Sequence, residues 1–207
     1  MQAYVTEAVG TFFLVMVFGI SGDPLAVGLT LMALIYIGYP TSGAHFNPAV
    51  SIAFFFKRKL SFAELTGYLF CQVIGAFFAS YLIYTFANSV FYLEPPVDTD
   101  LYEQVFSEVF FTAIFVSVML SLTFSNLHRK NQYMGLIIGL TFTGMLMAAS
   151  PLSGGVLNPA FSAGTTLFDL VKGGDSYIYS VLYVLSPIAG GALAAFSSSY
   201  FSSRWGD

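Results

Sequence analysis

Two Asn-Pro-Ala triplets, Asn47-Pro48-Ala49 and Asn158-Pro159-Ala160, are the residues of this chain best placed to do chemistry. An Asn before a Pro reads as a helix start. The Asn side chain caps the first turn, and Pro sits at the first helical position, where its missing N–H costs nothing. Each such end carries roughly +0.5 of an elementary charge. Two of them facing each other would repel cations, while the Asn amides donate hydrogen bonds to a neutral polar molecule. The other candidates are Glu7, Glu108 and His45, all in apolar surroundings, and a single cysteine, Cys71. One cysteine provides neither a disulfide framework nor a Cys-based metal site. His45 has no second ligand near it in sequence, so no metal and no cofactor is expected.

The elements that must position these residues follow from composition. The chain has 207 residues, 57% hydrophobic and only 9% charged, with mean hydropathy +0.77. A soluble domain carries about 25% charged residues, so a soluble enzyme is disfavoured. The net charge of −4 and seven scattered basic residues offer no face for a phosphate backbone, so no nucleic-acid partner is expected. The remaining class is a polytopic membrane protein with short loops.

Stretches free of Asp, Glu, Lys and Arg run over 24–56, 65–93, 131–168 and 176–203. A spanning helix needs about 20 apolar residues. The second and fourth stretches are one span each. The first and third are too long for one span and too short for two, and read as a full span followed by a re-entrant half-span. Breakers lie where the half-spans would begin: Pro40, Gly43 and Pro48 in one, and Pro151, Gly154, Gly155 and Pro159 in the other. Two further spans contain Glu7 and Glu108. The expectation is six spans, roughly 3–21, 24–40, 61–86, 104–125, 133–150 and 177–201, with half-helices near 47–56 and 158–168. No basic segment precedes the first apolar run, so that run reads as a retained helix rather than a signal peptide. This topology puts Lys57, Arg58, Lys59, Arg129, Lys130 and Arg204 on one side and only Lys172 opposite. The positive-inside tendency then places both termini in the cytoplasm.

The chain repeats itself. Ser42-Gly43-x-x-x-Asn47-Pro48-Ala49 recurs as Ser153-Gly154-x-x-x-Asn158-Pro159-Ala160, and Gly28-Leu29-Thr30 as Gly139-Leu140-Thr141, both shifted by 111. Glu7 and Thr11 recur as Glu108 and Thr112, and Tyr68 and Gly75 as Tyr183 and Gly190. Repeat one covers about 3–86 and repeat two about 104–201, within a single domain over 1–207. Each repeat holds an odd number of spans, so the two lie inverted, an arrangement that sets the functional site near the midplane where broken helices meet. Non-helical backbone at that depth must be buried in protein or line a wet cavity, so Thr41–Phe46 and Leu152–Leu157 should line a water-filled path.

These features together resemble the aquaporin, or major intrinsic protein, family. The resemblance rests on the Glu-containing spans one and four, Ser-Gly-Ala-His-Phe-Asn-Pro-Ala-Val at 42–50, Gln72 with Gly75-Ala76, residues 152–164, and Pro187 with Gly190-Gly191-Ala192. It implies an all-α membrane fold of six transmembrane helices and two re-entrant half-helices, a pore through each subunit, and a homotetramer in the plasma membrane's lipid bilayer. It also implies that Glu7 and Glu108 hydrogen-bond the buried loops, in place of the functional-site role that intramembrane carboxylates often have. His45 is expected to pack within its loop.

The family's narrow filter uses four positions, counted from the two Asn. Here they are Val27, Leu146, Gly155 and Phe161. Water-specific members usually carry an aromatic at the first, often His at the second and usually Arg at the fourth. Val, Leu, Gly and Phe bring neither charge nor a side-chain donor. Ser162 stands where glycerol-facilitating members usually have Asp. The Phe161 ring either narrows the pore or turns into the protein and leaves it wide. The sequence thus points to a passive channel for water and small neutral solutes, with no catalysis; glycerol, ammonia, hydrogen peroxide and metalloid acids fall within reach. A closed-pore structural protein is one alternative, since apolar constrictions can dewet. A coupled transporter is another, and it would need an ion site built from Glu7, Glu108 or His45.

Overall fold

The computed structural model describes residues 1–124 and 131–205. Its described residues form eight helices: α1 Gln2–Ser21, α2 Pro24–Ser42, α3 Pro48–Phe56, α4 Phe62–Ala87, α5 Leu101–Phe124, α6 Met134–Ser153, α7 Pro159–Val171 and α8 Tyr177–Trp205. Six of them are long and apolar enough to cross a membrane, and α3 and α7 are the short ones. Arg129 and Lys130, used above to orient the chain, lie outside the described residues, as does the Arg204 side chain.

Local signals set most boundaries. Gly22 ends α1 in the left-handed region, and Asp23 caps α2 by accepting from the Leu25 N–H at 2.9 Å, with Pro24 first in the helix. Ser61 and Glu64 form a reciprocal capping box at the start of α4. Asp100 and Glu103 exchange hydrogen bonds of 3.0 and 2.8 Å before α5.

Several boundaries differ from expectation: α5 begins at Leu101 rather than 104, α7 ends at Val171 rather than 168, α8 runs to Trp205 rather than 201, and α2 and α6 extend past 40 and 150. The helices α2 and α6 run through Pro40 and Pro151 to Ser42 and Ser153. A proline removes one backbone donor but leaves the donors after it free to continue the ladder. The stop comes three residues on. Gly43 (φ 81°) and Gly154 (φ 86°) turn left-handed, and their N–H groups close the last turns onto Tyr39 and Ser150. Glycine reaches that conformation without a Cβ penalty. The irregular segments are therefore 43–47 and 154–158.

The packing is reciprocal. α1 packs on α4 and α5 on α8, α2 meets α6, and α3 and α7 lie against α8 and α4 respectively. Small residues permit this. A Cβ on Gly75 of α4 would strike the Ala8 carbonyl of α1, and one on Gly190 of α8 would strike the Val109 carbonyl of α5. Gly28 and Gly139 bring the backbones of α2 and α6 together in the same way, and Gly191 seats α8 on Ala49 of α3. The small residues of α4 and α8 are thus spent inside the chain, where close backbone approach adds dispersion contacts that lipid cannot supply.

The irregular segments hang on two buried carboxylates. Glu7 of α1 accepts from the Ser42 hydroxyl (2.6 Å), the His45 N–H (2.9 Å), the Phe46 N–H (2.6 Å) and Gln72 Nε2 (2.8 Å). Glu108 of α5 accepts from the Ser153 hydroxyl (2.7 Å), the Val156 N–H (2.9 Å) and the Leu157 N–H (2.7 Å). Tyr68 and Tyr183 complete each support by donating to the carbonyls of Ser42 (2.7 Å) and Ser153 (2.6 Å). Removing Glu108 leaves the Val156 and Leu157 N–H groups without an acceptor, each costing about 1–3 kcal/mol when buried, while the Ser153 hydroxyl can turn to Ser107 or the Ala149 carbonyl. Glu108→Ala is therefore expected to lower the thermal unfolding temperature of the detergent-solubilised protein far more than Tyr183→Phe, which removes one donor worth about 1 kcal/mol. Equal melting curves for the two variants would show that the loop does not depend on the carboxylate.

Candidate functional site

The two Asn-Pro-Ala turns meet at the ends of α3 and α7. Asn47 caps α3, its Oδ1 accepting from the Ala49 N–H at 2.8 Å, and Asn158 caps α7 by accepting from the Ala160 N–H at 3.0 Å. Each amide nitrogen then reaches across to the other loop. Asn47 Nδ2 donates to the Leu157 carbonyl and Asn158 Nδ2 to the Phe46 carbonyl, both at 2.9 Å. The side chain must accept from its own helix and donate to the opposite loop. Asp could do the first and not the second, and Ser is too short for both. Each amide keeps one N–H beyond these bonds, so one proton of each amide is left to serve a passing molecule.

The backbone before each Asn has an unusual course. Phe46 (φ 50°) and Leu157 (φ 51°) are both left-handed, as are Ala44 (φ 52°) and Gly155 (φ 66°) at matching positions. For a residue with a Cβ this costs about 1–2 kcal/mol. The Glu7 and Glu108 bonds to the neighbouring N–H groups offset it. In each loop three successive carbonyls, those of residues 43–45 and 154–156, accept no hydrogen bond among the described residues. Buried carbonyls rarely go unpaired, so these two rows are the natural acceptors for a polar guest. The arrangement therefore has donors at its centre, acceptors on either side, and two positive helix ends.

Three of the four counted positions, Val27, Leu146 and Phe161, belong to one buried apolar cluster. Their exposures are 0%, 0% and 1%. A Cβ added to Gly155 would lie 2.7 Å from the Leu146 carbonyl, so these two positions adjoin through backbone. Phe161, in the first turn of α7, sets its ring edge-on to Phe18 of α1, with centroids 5.3 Å apart. His45 packs on the rings of Phe54 and Tyr68 and places Nδ1 3.1 Å from the Ser51 hydroxyl.

Sequence reasoning passed over several residues of this assembly. Ser42, Ser153, Tyr68 and Tyr183 were visible as matched positions in the repeat, but their roles as loop supports were not. Phe18 carries no repeat signal, whereas Ser51 recurs as Ser162 at the shift of 111 without that match revealing its role. Ser51 links His45, Gln72 and the Asn47 carbonyl.

The family model described as "Major intrinsic protein" matches residues 18–198. The glycerol uptake facilitator protein-like 6 of Lactiplantibacillus plantarum is 34% identical, over 99% of this chain and 100% of that protein. The aquaporin AqpM of Methanothermobacter marburgensis is 30% identical, over 87% of this chain and 76% of its own length. The crystal structure of the aquaglyceroporin from Plasmodium falciparum has the same fold, with TM-score 0.81 at 23% identity, over 98% of this chain and 95% of that one. A family model spanning most of the chain and a relative matched from end to end agree with the architecture of six long helices and two facing half-helices: the chain belongs to the major intrinsic protein family of membrane channels.

Proposed function

We propose that this chain conducts water and small uncharged hydroxylated solutes such as glycerol passively, as a homotetramer of single-domain subunits in the plasma membrane with both termini cytoplasmic. The observation that carries the reading is the reciprocal pair of bonds from Asn47 to Leu157 and from Asn158 to Phe46, which fixes two positive helix ends against each other. A cation entering there meets about half a positive charge from each helix, while the Glu7 and Glu108 carboxyls beside the turns are taken up by loop N–H groups and serine hydroxyls. An anion meets rows of carbonyl oxygens. Water and polyols can donate to those carbonyls and accept from the spare Asn N–H groups. The names of the relatives agree with both solutes, one being a glycerol uptake facilitator-like protein and another an aquaporin.

Val27, Leu146, Gly155 and Phe161 form the constriction in this reading. Without Arg or His, the filter offers no side-chain donor to compete with water for a solute, and selection there rests on size and on loop carbonyls. The near-complete burial of Val27, Leu146 and Phe161 favours one second reading, a constriction that is dry and shut at rest. Stopped-flow light scattering on proteoliposomes separates the two. Osmotic shrinkage no faster than in empty liposomes would support the shut state, and fast shrinkage together with glycerol entry would support the open channel.

Two sets of variants test the parts. In Asn47→Asp, the bond to the Leu157 carbonyl is lost and a negative charge faces the helix ends. Neutral flux should fall and cation leak should rise, read as sodium or potassium current in planar bilayers. Unchanged leak and flux in both Asn47→Asp and Asn158→Asp would remove the pair from the mechanism. Phe161→Ala should raise glycerol permeability, and Phe161→Arg should narrow the range toward water, though a buried guanidinium lacking partners also costs stability. If folded Phe161→Ala passes water and glycerol as the parent does, the constriction lies elsewhere.

A further inference from the structure

Beyond the four filter positions, the structure ties the Phe161 ring to the connection between α4 and α5. Phe18 of α1 lies edge-on to Phe161, with centroids 5.3 Å apart and planes at 63°. Phe18 also meets Phe91 of the 88–100 connection, at 6.2 Å and 58°. The site for Phe91 is built. Gly19, next to Phe18, leaves the room that ring takes, since a Cβ there would come within 3.0 Å of it. Leu93 anchors the same connection in the core at 8% exposure. The backbone of Glu94 comes up to Gly154, where an added Cβ would lie 3.4 Å from its carbonyl. The connection therefore touches both the second re-entrant loop and, through Phe18, the first turn of α7.

We infer that Phe18 is a positioning residue for Phe161, and that Phe91 of the α4–α5 connection holds Phe18 in place, so that this connection sets the width of the constriction. The inference rests on the reading of Phe161 as a filter residue. A phenyl ring has no polar atom to fix its orientation by a hydrogen bond, so within the apolar cluster the Phe161 ring is held by packing alone. Its only recorded ring partner among the described residues is Phe18. Without that stop the Phe161 ring leaves its present orientation for part of the time. Glycerol, being wider than water, gains more from each departure, so the ratio of glycerol to water permeability reports the ring's position.

The experiment measures that ratio in proteoliposomes for the parent, Phe161→Ala, Phe18→Ala, Phe91→Ala and the Phe18→Ala/Phe161→Ala double variant. Phe18→Ala should raise the ratio about two- to tenfold, the population shift that one aromatic pair can hold, and Phe91→Ala should raise it less. The Phe18 effect should vanish in the Phe161→Ala background, and Phe18→Tyr should keep the parent ratio. If Phe18→Ala does not reconstitute, Phe18→Leu tests the same loss of ring edge with less lost volume. A changed ratio in Phe161→Ala with the parent ratio in the Phe18 and Phe91 variants would overturn the positioning role and leave the filter reading intact. Full additivity in the double variant would overturn it too, by showing that the two rings act independently. A parent ratio in Phe161→Ala would remove the filter reading itself, and the inference with it.

Discussion

A backbone that leaves its helix inside hydrocarbon must find partners for its N–H and C=O groups, and everything else in this structure follows from how two short segments do so. Glu7 and Glu108 answer for the donors: each collects two successive backbone N–H groups and a serine hydroxyl from the loop beside it. Isolated, either carboxyl would be costly in a membrane. Surrounded by donors, it becomes the group that makes a non-helical turn affordable there. It also holds Phe46 and Leu157 in a left-handed conformation that neither would adopt alone.

Once the donors are consumed, the unmatched carbonyls are what remains, and the site's chemistry is largely this remainder. Among the described residues, the bonds that cross between the loops are the two made by Asn amides, and they leave those oxygens unpaired. In the proposed channel, a row of acceptors next to two positive helix ends would discriminate by charge chiefly through backbone dipoles. If Val27, Leu146, Gly155 and Phe161 form the proposed constriction, a charge barrier carried by backbone dipoles would leave those side chains to select by volume.

The two halves build the same device with different materials. In the first half, Gln72, Ser51 and His45 extend the Glu7 network sideways into α3 and α4. In the second, Ser107 approaches the Ser153 hydroxyl at 3.2 Å and no amide takes part. The contacts that hold the helices together are nearly identical instead: the Gly75–Ala8 and Gly190–Val109 approaches fall at matched positions. Backbone proximity tolerates little variation because any side chain larger than hydrogen collides, whereas a polar network can be rebuilt around a fixed carboxylate.

Sequence alone determined the number and order of the helices, since charge-free length against bilayer thickness leaves few solutions. It also determined the two facing caps, since Asn-Pro repeated in register has few other readings. It placed the starts of both half-helices to within one residue but ended the second three residues early, at 168 instead of Val171, and it stopped α2 and α6 too soon, because proline is the louder signal in a string of letters while the left-handed glycine three residues later makes the turn. Tertiary structure decided what spacing cannot encode. The Asn amides spend one proton each on the opposite loop, a contact between residues more than a hundred positions apart. Phe161 finds its neighbour in Phe18, on a helix from the other repeat. Both depend on where two inverted halves bring their backbones together, and that is fixed by glycine-to-carbonyl distances between helices, for which a linear sequence carries no measure.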